Sequence, residues 1–125
     1  MDIPRITSRE VSERLAAGDV VAFLDARSAA AHAEATAQLP RSVRVPPDAV
    51  HAHASALPHD VILVAYCSST SEQSSARVAA ELRRIGFRRA FVLAGGLEAW
   101  QSAGYPLEPL RHGDPAVNTA LHQPM

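Results

Sequence analysis

The chain has 125 residues, of which 47% are hydrophobic and 20% charged, and its formal net charge at pH 7 is −1. This length accommodates a single domain, and the apolar fraction is too high for a disordered chain. The near-neutral charge disfavours a general nucleic-acid-binding protein, because no surplus of Lys and Arg exists to neutralise phosphates.

The first predicted elements are a helix and a strand. Residues 7–10 read Thr-Ser-Arg-Glu, a capping-box pattern in which Thr7 caps a helix and Glu10 bonds back to it. We predict that this helix extends to Ala17 and ends at Gly18, a residue type that suits the position after a helix. The apolar run at 20–24 then predicts a strand.

The next stretch is predicted to hold two helices around a short strand. Ser28 is expected to cap a helix in the alanine-rich residues 29–37, and the β-branched residues at 43–45 indicate a strand. Asp48 is expected to cap a third helix, which ends before Pro58.

The second half of the chain continues the alternation. Residues 61–66, VILVAY, predict a strand that is apolar on both faces, as a central strand covered by helices on both sides would be. Apolar and small side chains at helical spacing predict a helix over 74–85, and residues 90–93 predict another strand. A short helix at 97–103 carries Trp100, which we interpret as a core residue.

This alternation of strands and helices predicts an α/β domain with a parallel sheet, whose functional residues lie at the carboxyl ends of the strands. Cys67 directly follows the strand predicted at 61–66 and therefore lies where this rule places function. A thiolate at this position can be surrounded by loop N–H groups and can face the N-terminus of the next helix, and both features favour an anion.

The loop after Cys67 begins with small residues that let the backbone curl around the sulfur, namely Ser68, Ser69, Thr70 and Ser71. Two interpretations are open. Free cysteine is among the most buried residue types, so Cys67 could be an inert core residue at a strand end. The serine-rich loop favours the other interpretation, a reactive thiol.

Five segments of the sequence occur in a particular order and spacing. This combination indicates a family more specifically than any one segment does. The segments are LDARS at 24–28, LPRSVRVP at 39–46, VILVAYC at 61–67, SSARVAAELRRIGF at 74–87 and FVLAGGLEAWQSAGYPL at 91–107. Together they resemble the single-domain rhodanese family of sulfurtransferases, from about Ile6 to Pro109. The resemblance implies a rhodanese-like fold, a five-stranded parallel sheet flanked by helices on both faces. It also implies a domain at 1–109 and a C-terminal tail at 110–125.

The same resemblance implies that Cys67 is the nucleophile of a sulfurtransferase or persulfide carrier. Its thiolate attacks the outer sulfur of thiosulfate or of a low-molecular-weight persulfide, and the resulting Cys67 persulfide passes the sulfur to a thiophilic acceptor. The alternative is a catalytically weak rhodanese-like module that binds a partner or senses oxidants. The implied substrate-binding loop consists of Ser68, Ser69, Thr70, Ser71, Glu72, Gln73 and Ser74.

The loop departs from the usual family pattern, because no Arg or Lys lies between Cys67 and Ser75. It resembles a subgroup with an extended, arginine-free loop, in which a second cysteine stands where this chain has Ser69. We therefore expect slow turnover of thiosulfate or the use of a different donor, since the charges of thiosulfate lack a cationic partner and Glu72 repels them if it faces inward. Arg77 compensates only if it bends toward the loop. The missing arginine also disfavours phosphatase or arsenate reductase activity.

Asp25 and Arg27 are predicted to support the site rather than to contact substrate. Asp25 follows a strand and can accept hydrogen bonds from loop amides, and Arg27 can pair with a carboxylate. In the rhodanese family this Asp-x-Arg pattern mostly braces the active face. The six histidines are interpreted as surface residues, and we expect no metal site, no nucleotide-binding loop and no cofactor.

The expected compartment follows from the cysteine count and the apolar runs. A single cysteine excludes an intrachain disulfide, and with it a secreted disulfide scaffold. No apolar run reaches the roughly 20 residues that span a bilayer, and the first residues do not resemble a signal peptide. We expect a cytoplasmic protein that acts on a small sulfur donor and a thiophilic acceptor, without nucleic-acid or membrane partners. A protein partner or a fused domain stays open.

Overall fold

The computed structural model describes residues 3–68 and 72–110. The strands are Arg5–Ile6 (β1), Val21–Asp25 (β2), Ala37–Gln38 (β3), Val43–Arg44 (β4), Ile62–Tyr66 (β5), Ala90–Leu93 (β6) and Glu108–Pro109 (β7). The helices are Ser8–Ala16 (α1), Ala29–Glu34 (α2), Val50–Ala54 (α3), Gln73–Arg84 (α4) and Gly96–Ser102 (α5). Five strands form a parallel sheet in the order β1-β6-β5-β2-β4, and β3 pairs antiparallel with β7 in a second sheet.

β5 lies in the middle of the large sheet and is buried along its whole length, as its continuous apolar sequence predicts. Alternate side chains of a strand point to opposite faces, so β5 contributes to two separate cores. Leu63 and Ala65 pack with apolar residues of α3 and α4. Val64 and Tyr66 pack with Trp100 of α5 and with α1 on the other face. Helices therefore cover both faces of the five-stranded parallel sheet, which confirms the predicted fold class.

Two elements with strong local signals form as predicted. The Glu10 N–H donates to Thr7 Oγ1 over 3.0 Å, and the Thr7 N–H donates to Glu10 Oε1 over 2.9 Å, which completes the capping box of α1. Gly18 follows this helix at φ +92°, in the left-handed region that favours glycine. β6 has the bounds that its β-branched and aromatic residues predict.

The helix predicted over 29–37 is shorter than expected, because its last residues join the small sheet. Ser28 caps α2 through its side chain, as predicted, but the helix ends at Glu34. Ala37 pairs instead with Pro109 of β7, and this long-range pairing holds the chain in an extended conformation. The high helix propensity of alanine is overridden here by tertiary structure.

The prediction that Asp48 caps α3 is wrong. Ala49 occupies the N-cap position without a side-chain hydrogen bond, and its N–H donates to Pro46 O over 3.0 Å. Asp48 therefore lies within a turn, one residue too early to cap the helix. In α4 the first helical residue is Gln73 rather than Ser74.

No helix within residues 3–68 and 72–110 is long and apolar enough to cross a membrane. The predicted C-terminal tail lies outside the described residues from 111 onward. The Leu110 N–H donates to Thr36 O over 3.0 Å, so the chain stays attached to the small sheet up to its last described residue.

Candidate active site

Cys67 lies directly after β5, between the ends of its neighbours β2 and β6. Because the strands are parallel, their carboxyl ends share one edge of the sheet, and the loops at this edge form the binding site in α/β folds. Cys67 is only 5% exposed, and Ser75 in the first turn of α4 contacts its sulfur. The structure therefore places the predicted nucleophile where the sheet topology favours a reactive group.

Ser75 supplies a hydroxyl to the sulfur. Its Oγ is within donating distance of Cys67 Sγ, at 3.5 Å, and of Glu72 O, at 3.2 Å. The residue is fully buried in the first turn of α4, so the hydroxyl is held in place by the helix. A hydrogen bond donated to sulfur stabilises a thiolate more than a thiol. Ser75 was not among the predicted site residues, although its position just after the loop was a usable signal.

The start of α5 supports the Cys67 loop through main-chain hydrogen bonds. The Leu97 N–H donates to Cys67 O over 2.8 Å, and the Glu98 N–H donates to Ser68 O over 3.1 Å. These N–H groups lie at a helix N-terminus, where they have no partner within the helix. The first turn of α5, which begins at Gly96, thus supports the cysteine loop.

Glu72 does not face the thiol. Its two carboxylate oxygens accept hydrogen bonds from Arg5 Nε at 2.8 Å and from Arg5 Nη2 at 2.6 Å. The Gly95 N–H also donates to Glu72 Oε2 over 3.0 Å. The side chain therefore links the cysteine loop to β1 and to the start of α5, and the expected repulsion of anionic donors by an inward-facing Glu72 has no basis in this geometry.

These contacts change the acidity of the carboxyl group. The hydrogen bonds from Arg5, supported by the Gly95 N–H and the Arg5 charge, hold the pKa of Glu72 below its ordinary value of 4.5 against the opposing effect of burial. Glu72 itself adopts φ +55°, a left-handed conformation that is uncommon for a residue with a side chain. The ion pair and the Gly95 hydrogen bond hold the backbone in this conformation.

A pocket of about 260 Å³ opens beside Cys67. It brings together several predicted site residues, including Ser68, Gln73, Ser74 and Arg27. Ser69, Thr70 and Ser71 lie outside the described residues. The described lining consists of Arg27, Ser28, Ala31, Cys67, Ser68, Gln73 and Ser74.

Asp25 and Arg27 form a buried ion pair at the edge of this pocket. Arg27 donates from Nε to Asp25 Oδ1 over 2.9 Å and from Nη2 to Asp25 Oδ2 over 2.7 Å. Arg27 Nη2 also donates to Ala37 O over 3.0 Å. The pair fixes the turn between β2 and α2, and the supporting role of both residues stays a prediction. Arg27 additionally lines the pocket.

Arg77 lies away from the thiol. It is exposed and lines a separate groove between α3 and α4, together with His51 and Glu81. The compensation that depended on Arg77 bending toward the loop is therefore absent from this structure.

Comparison with known proteins identifies the family and the fold. The family model for the rhodanese-like domain matches residues 7–103. This chain belongs to the rhodanese-like domain family. The match extends from the N-cap of α1 to the end of α5 and includes Cys67 with its loop.

Individual relatives of this rhodanese-like domain agree with the family assignment. A protein from Allochromatium vinosum named sulfurtransferase is 30% identical over 105 residues, which cover 84% of this chain and 94% of that protein. A crystal structure of an Anabaena sp. protein superposes with a TM-score of 0.74 at 26% identity and covers 95% of this chain and 94% of that one. A rhodanese-like domain protein from Staphylococcus aureus has a TM-score of 0.69 at 24% identity, covering 87% of this chain and 100% of that one.

Three histidines of this rhodanese-like domain, His51, His53 and His59, contact other protein groups. His51 Nε2 lies 2.7 Å from Glu81 Oε2, and His53 Nδ1 lies 2.9 Å from Ala49 O. His59 stacks on Phe87 at a ring separation of 3.8 Å. Within the part of the chain that the structure describes, no group of three or more His, Cys, Asp or Glu side chains is arranged to hold a metal ion.

The Ser75 hydroxyl gives a first prediction. We expect Ser75→Ala to slow alkylation of Cys67 by iodoacetamide at pH 7 by about three- to tenfold, the effect of losing one hydrogen bond to the thiolate. The rates of variant and wild type are expected to converge at high pH, where both thiols are ionised. Ser102→Ala removes an exposed serine at the end of α5 and serves as the control. Equal rates for Ser75→Ala and wild type at pH 7 contradict the assigned role.

The Glu72 carboxylate gives a second prediction. We expect Glu72→Gln to lower the melting temperature at pH 7, because the amide cannot replace the paired acceptors for Arg5. The pKa of Glu72 is lower in the folded state than in the unfolded state. The contribution of its carboxylate to the free energy of unfolding is therefore complete above pH 4.5, and it is lost as the pH falls through the folded-state pKa. The difference between variant and wild type should therefore shrink in acid.

The control for Glu72 is Glu34→Gln, which changes an exposed glutamate at the end of α2. We expect no comparable pH-dependent loss of stability in that variant. Thermal melts from pH 7 to pH 3 measure both. A melting-temperature difference for Glu72→Gln that is the same at both ends of this range contradicts the ion-pair role.

Proposed function

We propose that this rhodanese-like domain is a sulfurtransferase or persulfide carrier with Cys67 as its nucleophile. The observation that carries the proposal is a thiol in the lining of a pocket at the carboxyl edge of the sheet, with the Ser75 hydroxyl 3.5 Å from its sulfur. The relative from Allochromatium vinosum that is named sulfurtransferase supports the same class of activity.

The first half-reaction loads the sulfur. The Cys67 thiolate attacks the outer sulfur of the donor, so that an Sγ–S bond forms while the donor's S–S bond breaks. The leaving group departs with the electron pair of that bond, as sulfite from thiosulfate or as glutathione thiolate from glutathione persulfide. In the second half-reaction cyanide or an acceptor thiolate attacks the terminal sulfur and releases the Cys67 thiolate.

The surroundings of Cys67 suit this chemistry. A negative charge on the persulfide is stabilised by hydrogen-bond donors and by the N-terminus of a helix. The Ser75 hydroxyl and the first turn of α4 provide both, because Ser75 belongs to that turn and contacts the sulfur. The hydrogen bonds from α5 to the carbonyls of Cys67 and Ser68 keep the start of the loop in position.

Two finer features belong to the same proposal. Thiosulfate turnover is slow, because residues 68–74 contain no Arg or Lys to pair with the dianion. The activity belongs in the cytoplasm, where thiols are kept reduced and a free nucleophilic cysteine is maintained.

Intact-mass measurement tests the proposal directly. The reduced protein is mixed separately with thiosulfate and with glutathione persulfide, and Cys67→Ser serves as the control. We expect a gain of one sulfur atom that is absent from the control, and its loss after cyanide is added. Because Cys67 is the single cysteine of the chain, the added sulfur needs no further mapping.

The outcomes separate this proposal from its alternative. A sulfur gain that cyanide removes, with formation of thiocyanate, supports the sulfurtransferase. If neither donor loads Cys67 while iodoacetamide still alkylates it, the sulfurtransferase proposal is wrong. A module that senses oxidants then becomes the better explanation, and it predicts a sulfenic acid on Cys67 after peroxide treatment.

A further inference from the structure

The buried cluster beside the Cys67 pocket contains two arginines and one carboxylate. Arg27 pairs with Asp25 as described above. Arg44 Nη1 donates to Asp25 O over 3.0 Å and lies 3.7 Å from Asp25 Oδ1. The side chains of Asp25, Arg27 and Arg44 are 2%, 5% and 17% exposed. We call these three residues the Asp25 cluster.

The three residues of the Asp25 cluster carry an excess of one positive charge; Asp48, the other carboxylate that acts on Arg44, is exposed, so water and salt screen its charge. A guanidinium stays protonated at all ordinary pH values, so Arg27 and Arg44 contribute two positive charges against one from the Asp25 carboxylate. His32 Nε2 lies 3.9 Å from Asp25 Oδ2 and adds a further positive charge whenever it is protonated. Because the cluster has little contact with water, its charge is screened less than an exposed charge and acts over a longer distance.

Arg27 is the residue of the Asp25 cluster that brings positive charge to the pocket. This residue lines the pocket together with Cys67, and the described lining includes no carboxylate. Glu72 is turned toward Arg5, which neutralises its charge. The positive potential of the Asp25 cluster is therefore not cancelled by an acidic group among the described pocket residues.

We propose that the Asp25 cluster makes the Cys67 pocket select negatively charged sulfane-sulfur donors, with Arg44 as the residue that supplies the excess charge. The proposal rests on the proposed function and adds the charge class of the donor to it. Arg44 does not line the pocket in the described structure. It acts on the pocket by adding positive charge to the cluster to which Arg27 belongs. The slow reaction with thiosulfate that we expect then depends on Arg44, since the loop has no cation of its own.

Alkylation with a matched pair of reagents tests the charge without any sulfur transfer. Iodoacetate and iodoacetamide react with a thiolate in the same way and differ by one negative charge. We expect Arg44→Gln to lower the ratio of the iodoacetate rate to the iodoacetamide rate by about three- to tenfold, from the loss of one nearby charge. Arg44→Lys keeps the charge and is expected to keep the ratio within about twofold of wild type.

Arg88→Gln is the control for net charge, because Arg88 is exposed and follows α4 at the opposite edge of the sheet from Cys67. It removes one positive charge from the protein and is expected to leave the ratio unchanged. The wild-type protein gives a test that needs no variant. Its ratio should exceed that of the neutral thiol N-acetylcysteinamide in the same buffer, and a ratio at or below this reference overturns the proposal.

Sulfur donors of different charge complete the test. Thiosulfate carries two negative charges and methanethiosulfonate carries one, and each delivers its outer sulfur by breaking an S–S bond. We expect Arg44→Gln to slow loading by thiosulfate more than loading by methanethiosulfonate. Equal slowing of both, with an unchanged alkylation ratio, overturns the cluster's role while the proposed function stands. If no donor loads the wild type, the proposed function fails, and the alkylation ratio still decides on the cluster.

Discussion

Replacing Asp25 with alanine is expected to lower the free energy of unfolding by about 3–5 kcal/mol, the cost of leaving a buried charge without its partner. Asp25 is 1% exposed and accepts two hydrogen bonds from the Arg27 side chain and one from its N–H. Without this carboxylate, two guanidiniums with little access to water face each other. Urea denaturation at pH 7 measures the loss.

A double variant distinguishes the cost of an unpaired charge from the loss of the Asp25 contacts in general. Adding Arg27→Met to Asp25→Ala removes one of the two guanidinium charges that the first change leaves facing each other. We expect the double variant to be more stable than Asp25→Ala alone, because replacing both members of a buried pair costs little. A loss below about 1 kcal/mol for Asp25→Ala is typical of an exposed pair and contradicts the assigned role.

Gly95→Ala is expected to destabilise the protein by about 2–4 kcal/mol, from left-handed backbone strain together with a steric clash. Gly95 has φ +75°, and a Cβ added there lies 2.5 Å from Ala99 Cβ. Relief of this clash moves the start of α5 away from the Cys67 loop. The amides of Leu97 and Glu98, which bond to that loop, are therefore expected to exchange with solvent faster.

Gly104→Ala is the matched control for Gly95→Ala. Gly104 has φ +87°, and nothing lies within 4 Å of a Cβ added there. This change carries the backbone strain alone and is expected to cost about 1–2 kcal/mol. Urea denaturation compares the two variants, and native-state hydrogen exchange follows the two amides. Equal losses in the two variants show that the contact with Ala99 has no effect.

The elements that the sequence predicts best carry their signals within a few neighbouring residues. The capping box of α1 lies within four positions, and the apolar pattern of β5 is continuous. The strands β1, β3 and β7 were not predicted, because each has two residues and lies in no β-branched run that indicates a strand. β4 is as short, but the β-branched residues at 43–45 indicate it. The formation of β1, β3 and β7 depends on partners far along the chain, as in the pairing of β1 with β6.

The site shows the same division between local and long-range information. Cys67 and its loop follow from a strand, a turn and a helix in direct succession. The direction of Glu72 depends on Arg5, which lies 67 positions earlier, and no local pattern indicates that partner. Arg44 was missed for a related reason, since its position as the register partner of Asp25 appears only once β4 is placed beside β2.

The support that α5 gives to the Cys67 loop also orders events during synthesis. The carbonyls of Cys67 and Ser68 find their partners only when Leu97 and Glu98 have left the ribosome, after α4 and β6. β1 likewise waits for β6, so the contacts that complete the sheet are distant in sequence and form late. On a nascent chain the start of the Cys67 loop is therefore expected to gain these supporting hydrogen bonds only after residues 97 and 98 have emerged, although the strand before it is made much earlier.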